Sequence, residues 1–265
     1  MWTQQLWTLA GSIAFEMKAF WFNNENNFGD NLTPWLIEKI SGQSPEFSSG
    51  ESSGFVHMAC GSILNIPVEG SVVWGSGFAR CTDPVVQHGK VLAVRGPKSR
   101  EKLLAHGVDC PNVCGDPAIL LPRFFNPKPD KKFRLAVIPH YVDYEAVCKA
   151  YDHLKDEVQI VSLLEPVEEV IRKICECDVA ISSSLHGIIT AHAYEVPCAW
   201  VEFSDKVEGC GFKFHDYFAS GGLPLVNPIN LRFMPADLLE VERKVSSRLP
   251  EIDADALYAA CPFKP

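Results

Sequence analysis

With 265 residues, 47% of them hydrophobic and 22% charged, the chain can bury a large core and is too apolar to be intrinsically disordered. Its length suits one large domain or two small ones. The formal net charge of −9 excludes a general basic surface for nucleic acid, so an anionic substrate would need a few local Arg or Lys residues.

The ten cysteines are scattered along the chain, and no pair has the C-x-x-C spacing of a zinc knuckle or a redox motif. The two nearest to each other, Cys175 and Cys177, are separated by a single residue. Because the sequence shows no recognisable secretory signal, we expect reduced thiols and a cytoplasmic protein.

The first sixteen residues are rich in apolar side chains, but they lack a basic n-region and form too short a run to cross a bilayer. Met17 then opens a segment that is typical of the first strand of an α/β domain. Residues 1–16 are therefore either an extension upstream of the natural start or an ordinary N-terminal helix.

In the first half of the chain, short β-rich runs alternate with helical patterns. Thr33-Pro34 has the pattern of a helix N-cap followed by proline at the first helical position, and Gly42 ends that helix. The elements predicted for this half are strands over 18–22, 71–74 and 91–94 and helices over 33–42 and 97–106.

The segment 125–132 is rich in Pro and Lys and indicates a linker, after which the alternation restarts at Arg134. Such alternation on both sides of a linker predicts parallel sheets wrapped by helices. We therefore predict an α/β protein of two Rossmann-like halves facing a cleft, with residues 1–128 in one half and 129–265 in the other. The elements predicted for the second half are strands over 134–138, 159–162, 178–182 and 198–202, helices over 143–154, 166–176 and 185–195, and closing helices over 235–249 and 253–260.

In sheets of this kind, ligands collect at the carboxyl ends of the strands. The sharpest candidate there is the run Ser182, Ser183 and Ser184, which precedes a helix that carries His186 in its first turn. Serine hydroxyls and free helix N–H groups form an anion site, and an imidazole beside it can exchange a proton near neutral pH. The alternative is that the serines only cap the helix and His186 packs in the core.

Two cations follow strands and could bind an anion. Arg95 precedes Gly96, where its guanidinium could hold a carboxylate or phosphate through two hydrogen bonds. The alternative is a surface arginine paired with Glu101. Lys206 follows the strand after His186, so the two side chains can meet at adjacent strand ends, although a solvated lysine is the simpler interpretation.

Other polar residues in these loops are weaker candidates for the same cleft. Asp30 and Asp116 each follow a glycine, and either can position a hydroxyl or cap a turn. His140 and Tyr141 follow the strand over 134–138 and could line the cleft.

The glycine-containing run Gly75-Ser76-Gly77 would let a ligand approach the backbone. It lacks the third glycine of a dinucleotide fingerprint, so the sequence does not support NAD binding. The histidines show no spacing typical of metal ligands, and we do not expect a metal site.

Taken in order, these segments resemble the polysaccharide pyruvyl transferase family, especially its exopolysaccharide ketolase branch. The resemblance extends from about residue 18 to residue 220, and it depends on the order and spacing of the segments, since no single one is specific. The matching segments are Asn27-Phe28-Gly29-Asp30-Asn31-Leu32, Gly75-Ser76-Gly77, Val94-Arg95-Gly96-Pro97, Gly115-Asp116-Pro117-Ala118, Pro139-His140-Tyr141, Ser183-Ser184-Leu185-His186-Gly187 and Phe212-Lys213-Phe214-His215-Asp216-Tyr217.

The resemblance implies a fold like that of the two-domain GT-B glycosyltransferases and transfer of a pyruvyl group from phosphoenolpyruvate to two sugar hydroxyls as a cyclic ketal. It gives the catalytic role to His186 and donor-binding roles to Arg95 and Lys206. From the residues themselves we add Asp30 as a second candidate catalytic residue. Some members of the family have arginine two residues before the histidine, where this chain has Ser184. The substrate-binding residues that we expect are Asn27, Gly75, Ser76, Gly77, Arg95, His140, Tyr141, Ser182, Ser183, Ser184, Lys206 and Lys213.

This chemistry requires no metal or organic cofactor. The expected partners are phosphoenolpyruvate and a saccharide or lipid-linked oligosaccharide acceptor, with peripheral membrane contact through the acceptor and no nucleic acid. Two other functions stay open. A nucleotide-sugar glycosyltransferase of the same fold would bind and hydrolyse nucleotides without responding to phosphoenolpyruvate. A non-catalytic relative would bind saccharides with His186, Arg95 and Lys206 dispensable.

Overall fold

The computed structural model of the protein describes residues 17–23, 25–50, 54–207, 209–233 and 236–264. The interpretations of residues 1–16 lie outside these ranges. No helix within the described ranges is long and apolar enough to cross a membrane.

The first half of the chain forms a parallel sheet of five strands with the order β2-β1-β3-β4-β5. Its strands are β1 (Lys18–Ala19), β2 (Glu46–Phe47), β3 (Val56–Met58), β4 (Ser71–Trp74) and β5 (Lys90–Ala93). Its helices are α1 (Phe28–Ser41), α2 (Pro97–Ala105) and the 3₁₀ helix Pro117–Arg123.

The second half forms another five-stranded parallel sheet, with the order β10-β9-β8-β6-β7. Its strands are β6 (Phe133–Ile138), β7 (Val158–Ile160), β8 (Cys177–Ser182), β9 (Cys198–Glu202) and β10 (Ile229–Asn230). Its α-helices are α3 (Tyr144–Tyr151), α4 (Val167–Cys175), α5 (Leu185–Ala193), α6 (Phe212–Ser220), α7 (Leu238–Glu242) and α8 (Ala254–Ala259), and two 3₁₀ turns cover Tyr141–Asp143 and Asp152–Leu154.

The two sheets have the same topology. When the strands of each half are numbered separately from 1 to 5, both have the order 2-1-3-4-5, which is that of doubly wound flavodoxin-like sheets. The strand order reverses between β1 and β3 in one half and between β6 and β8 in the other. Ligands bind outside the carboxyl ends of strands at such a reversal. We therefore expect the binding site in the loops that follow these four strands.

The two parallel α/β sheets confirm the predicted pair of Rossmann-like halves. The predicted start of the first helix is wrong, because α1 begins at Phe28 with Asn27 as its N-cap. Pro34 lies inside α1, where its ring nitrogen cannot donate to the carbonyl of Asp30. The predicted end is confirmed: Gly42 adopts φ 74° and its N–H donates to the Glu38 carbonyl at 2.8 Å.

The end of the chain returns to the first half. The indole nitrogen of Trp74 in β4 donates to the carbonyl of Leu257 in α8 at 2.8 Å. The ring of Phe263 packs edge-on against Trp74 at a centroid distance of 5.1 Å. Residues 125–132, between the two sheets, have no regular secondary structure. The division into residues 1–128 and 129–265 stays a prediction.

A buried ion pair joins the two halves. Arg95, directly after β5, and Asp216 in α6 have Nη2 and Oδ2 3.1 Å apart, and their side chains are 1% and 0% exposed. The carboxylate of Asp216 also accepts hydrogen bonds from the backbone N–H and the hydroxyl of Ser99, at 3.0 and 2.6 Å. These bonds fix α6 of the second half against the start of α2.

We predict that Asp216→Ala destabilises the protein by about 3–5 kcal/mol, since it leaves the buried guanidinium of Arg95 without its counter-charge. Urea unfolding measures this change. The matched control is Asp255→Ala, which removes the partner of Arg123 from an ion pair in which Asp255 is 91% exposed. Surface pairs contribute little, so the control should unfold close to the wild type. Equal losses in the two variants would contradict the structural role of the buried pair.

Candidate functional site

His186 lies at the centre of the candidate site, in the first turn of α5 and beyond the end of β8. Its Nε2 is 3.5 Å from Oδ2 of Asp116, which belongs to the first half of the chain. The imidazole is 14% exposed and the carboxylate is fully buried. The pair therefore joins the two halves, and the ring stays partly exposed.

Asp116 is held in place by the residues around it. Its Oδ1 accepts the N–H of Ala118 at 3.0 Å and caps the 3₁₀ helix Pro117–Arg123. The buried thiol of Cys60 lies near this carboxylate, and burial together with the Asp116 charge raises the pKa of Cys60 well above its usual value. Oδ2 of Asp116 and Nε2 of His186 are buried and have no hydrogen-bond partner among the described residues. The imidazole is therefore the natural partner for the second carboxylate oxygen.

Gly29 brings the first turn of α1 against the imidazole. A Cβ atom at this position would overlap with the ring of His186, and its nearest atom would be Nδ1. The Nδ1 edge of the ring therefore faces the start of α1, while Nε2 faces Asp116. This arrangement explains why a glycine occupies a helical position where alanine would be favoured by propensity.

Asp30 follows Gly29 and faces the same space. The amide of Asn27 donates to its Oδ2 at 2.8 Å. Burial raises the pKa of Asp30, and the Asn27 hydrogen bond and the nearby charges of His186 and Lys213 oppose that rise. A carboxyl group with a raised pKa beside an imidazole is a common feature of acid–base sites.

His140 borders the site on the other side. Its backbone N–H donates to the hydroxyl of Ser183 at 2.8 Å, and its ring lies against Tyr141 at a centroid distance of 4.6 Å. Burial and, to a smaller extent, the charge of Lys213 lower the pKa of His140 to about 4. Its ring is therefore neutral at physiological pH.

The three predicted serines have different roles in the structure. The hydroxyl of Ser182 is fully buried and donates to the carbonyl of Ile138 at 2.7 Å, which ties the ends of β6 and β8 together. Ser183 accepts from His140. Ser184 is the N-cap residue of α5, but its side chain makes no capping hydrogen bond. The side chain of Ser184 therefore leaves the first N–H groups of α5 uncapped, and these groups attract anions.

Arg95 does not lie on the surface beside Glu101. Besides its ion pair with Asp216, its guanidinium donates to the hydroxyl of Ser62 at 2.9 Å and to the carbonyl of Phe78. The guanidinium is thus enclosed by protein partners. The binding of a donor anion by Arg95 stays a prediction.

Gly75, Ser76 and Gly77 are buried behind the site. Gly75 has φ 96°, and a Cβ there would overlap with Pro117. A Cβ on Gly77 would overlap with the guanidinium of Arg95. The hydroxyl of Ser76 donates to the carbonyl of Ala59 at 2.6 Å. These residues allow close packing, and a direct substrate contact for them is still a prediction.

The structure thus brings together Asn27, Asp30, His140, Tyr141, Ser183, Ser184, His186 and Lys213 among the predicted residues. Lys206 is exposed, on the loop after β9. The sequence left the role of Asp116 open between turn capping and a place in the site, and the structure places its carboxylate 3.5 Å from His186. Within the described ranges, no group of three or more His, Cys, Asp or Glu side chains could hold a metal ion.

The sequence of this chain matches the model of a known protein family. The family model described as polysaccharide pyruvyl transferase matches residues 47–205, which is more than half of the chain. This range contains Asp116, His140 and His186, whereas Asp30 and Lys213 lie outside it.

Two curated relatives match most of the chain. Uncharacterized protein L143 of Acanthamoeba polyphaga mimivirus is 27% identical over 78% of this chain and 75% of its own length. Succinoglycan biosynthesis protein ExoV of Rhizobium meliloti is 28% identical over 77% of this chain and 64% of its own length. The chain thus spans less than two thirds of the Rhizobium protein. No solved structure matches significantly.

We predict that the protein loses stability as the pH falls from about 6.5 to 4. Burial lowers the pKa of both His140 and His192 to about 4 in the folded state, against 6.5 for an unperturbed histidine. In that range the unfolded chain binds more protons than the folded one, so acid favours unfolding. The melting temperature, measured across this range, should fall.

Two variants test the source of this effect. In His192→Gln, which retains a polar group near the hydroxyl of Tyr217, the melting temperature should fall less steeply with acid than in the wild type. In the control His153→Gln, at an exposed position, the dependence should be unchanged. If all three proteins showed the same dependence, the neutral buried histidine would not be its source.

Proposed function

Because this chain belongs to the polysaccharide pyruvyl transferase family, we propose that it transfers a pyruvyl group from phosphoenolpyruvate to a saccharide and forms a pyruvate ketal. The observation that carries the proposal is the His186–Asp116 pair, in which the imidazole, beyond the carboxyl end of β8, lies 3.5 Å from a carboxylate of the first half. A proton-exchanging group held at such a position is what this reaction needs.

The proposed reaction has two stages. A proton is added to the methylene carbon of phosphoenolpyruvate, and a sugar hydroxyl attacks the resulting oxocarbenium-like carbon and loses its proton. Phosphate then leaves with the electrons of its carbon–oxygen bond, and a second hydroxyl of the same sugar attacks and loses its proton. The products are the cyclic ketal and inorganic phosphate.

We assign the proton donor to His186 and the proton acceptor to Asp30. Because Nε2 of the imidazole lies 3.5 Å from the carboxylate of Asp116, we assign the proton exchange with the reactants to Nδ1. Asp30 accepts a hydrogen bond from the Asn27 amide, as an ionised carboxylate does, and its raised pKa makes it a stronger base than an ordinary aspartate.

The donor carries a carboxylate and a phosphate, so its binding needs positive charge. We propose that the uncapped N–H groups of α5 and the ammonium of Lys213 hold these anions, since Lys213 interacts electrostatically with both Asp30 and His140. They would supply the charge that some family members obtain from an arginine at the position of Ser184. Lys206, on an exposed loop, is proposed as a second residue that binds the donor. Arg95 is proposed as a third, although its side chain is buried.

We further propose that the two halves face each other as in GT-B glycosyltransferases and that the protein is cytoplasmic. The acceptor is proposed to be a saccharide or a lipid-linked oligosaccharide, which would bring the protein to a membrane surface from the cytoplasmic side. The proposed chemistry uses neither a metal nor an organic cofactor.

The first test is turnover. We predict that the protein releases inorganic phosphate from phosphoenolpyruvate only when a suitable saccharide is present and that mass spectrometry finds the ketal on that saccharide. His186→Ala should lower this rate by about 10²–10⁴-fold, because a positioned proton donor contributes that much. Its affinity for phosphoenolpyruvate should stay close to that of the wild type.

The matched control is His153→Ala, at an exposed histidine. It should keep the wild-type rate. A His186→Ala protein that melts at a lower temperature but keeps most of its turnover would show that the imidazole has only a packing role. Hydrolysis of a nucleotide sugar with no response to phosphoenolpyruvate would instead indicate a glycosyltransferase.

The second test concerns Asp116. Asp116→Asn keeps the size of the side chain and the cap at Ala118 but removes the charge that faces His186. We predict that kcat falls about a hundredfold with little change in either KM, because the imidazole loses the partner that fixes its tautomer. The ¹⁵N resonances of the His186 ring report that tautomer directly.

Asp237→Asn is the control for the loss of a capping carboxylate, since Asp237 caps the short helix α7 with hydrogen bonds from Leu239 and Glu240. Its kcat and its His186 resonances should match those of the wild type. Unchanged His186 resonances in Asp116→Asn would remove Asp116 from the mechanism.

A further inference from the structure

A second binding space adjoins the catalytic centre. It is a cavity of about 340 Å³ at the carboxyl edge of the second sheet, near the lower end of the ~300–1,000 Å³ range of small-molecule pockets. Ser183 lines it, and this serine accepts the backbone N–H of His140 and lies three residues before His186. Arg80, from the first half of the chain, lines it as well, so the cavity lies between the two halves.

One wall of the cavity is aromatic and rigid. Trp200 in β9 and Phe214 in α6 are stacked, with centroids 4.3 Å apart and planes 11° from parallel, and both line the cavity. The loop over 209–211 closes against this wall: Gly211 has φ 76°, and a Cβ on it would come within 2.8 Å of the Trp200 indole. Such packing keeps the shape of the cavity fixed.

The remaining walls are polar, and their charges balance. Arg232 and Glu202 form an ion pair at 2.7 Å, in which the two side chains are 42% and 29% exposed. Arg80 and Asp205 add one further charge of each sign, so the charged side chains described around the cavity sum to zero. The hydroxyls of Ser183 and Ser204 lie among them.

This lining suits a neutral polyol. Each sugar hydroxyl both donates and accepts a hydrogen bond, so it finds partners in carboxylates, guanidinium groups and serines at once. An anion would need net positive charge around it, and a purely apolar ligand would strip water from paired charges without replacing their hydrogen bonds. The anionic donor is better matched by Lys213 and the N–H groups of α5, on the other side of Ser183.

We propose that this cavity binds the terminal, uncharged sugar unit of the acceptor, with Glu202 and Arg232 as the residues that determine its specificity. The proposal rests on the proposed pyruvyl transfer, because it makes this sugar the one whose hydroxyls attack the donor carbon. The small volume limits the cavity to the end of a glycan, and the rest of the acceptor lies outside it.

The test compares two matched variants. Glu202→Gln removes one negative charge from the cavity, and Glu242→Gln removes the partner of Arg134 from a similar exposed Glu–Arg pair elsewhere in the second half. The acceptors are a neutral hexoside and the corresponding hexuronide, each with phosphoenolpyruvate. In the wild type, the hexoside should be the better substrate.

In Glu202→Gln, the KM for the hexoside should rise about tenfold, as expected for a lost charge-assisted hydrogen bond, while the KM for phosphoenolpyruvate stays within about twofold. The ratio of kcat/KM values should shift toward the hexuronide, because the lining gains one unit of net positive charge. Glu242→Gln should behave as the wild type. A rise in the phosphoenolpyruvate KM alone would mean that the cavity holds the donor, and unchanged kinetics in Glu202→Gln would mean that it holds neither substrate. Either result overturns the proposal.

A direct binding measurement distinguishes failure of this proposal from failure of the proposed function. Saturation-transfer difference NMR of the hexoside with each protein needs no turnover. If phosphoenolpyruvate is never consumed but the hexoside binds to the wild type and to Glu242→Gln and about tenfold more weakly to Glu202→Gln, pyruvyl transfer is refuted and the sugar site stands. If turnover occurs but hexoside binding is equal in all three proteins, the sugar site is refuted and pyruvyl transfer stands.

Discussion

The buried carboxylate of Asp116 is the constraint on which the site depends. A charge with no exposure to water must find partners within the protein. Asp116 finds one in the N–H of Ala118, and the thiol of Cys60 and the imidazole of His186 lie near it. The first two belong to the first half of the chain and the third to the second half. The burial of one carboxylate therefore brings His186 of the second half against residues of the first.

The ion pair between Arg95 and Asp216 fixes the two halves at a second place. Because it is fully buried and also bonded to Ser99, it resists separation more than a surface pair would. Two such fixed points prevent the halves from rotating freely about the segment 125–132.

Much of this arrangement follows from local sequence, and the rest depends on distant contacts. The parallel α/β class and strands such as β4 and β9 were predictable, because hydrophobic runs bounded by turn residues indicate buried strands. The strands β2, β3 and β10 have only two or three residues each, too few for a period to be visible. The start of α1 was misplaced because Thr33-Pro34 gives a strong local signal, whereas the true N-cap, Asn27, has no capping side-chain bond. The positions of Arg95 and Asp116 were not predictable, since their partners Asp216 and His186 are remote in sequence.

The charge differs between the two sides of Ser183. The chain carries a net charge of −9, so positive potential exists only where the fold concentrates it. On one side of Ser183, Lys213 and the N–H groups of α5 face Asp30 and His186, and on the other the charges of the described cavity residues cancel. An anion and a neutral sugar would therefore settle on different sides without competing. In the proposed reaction the same sugar attacks twice, so a cavity that held it through both steps would lower the entropic cost of the second attack.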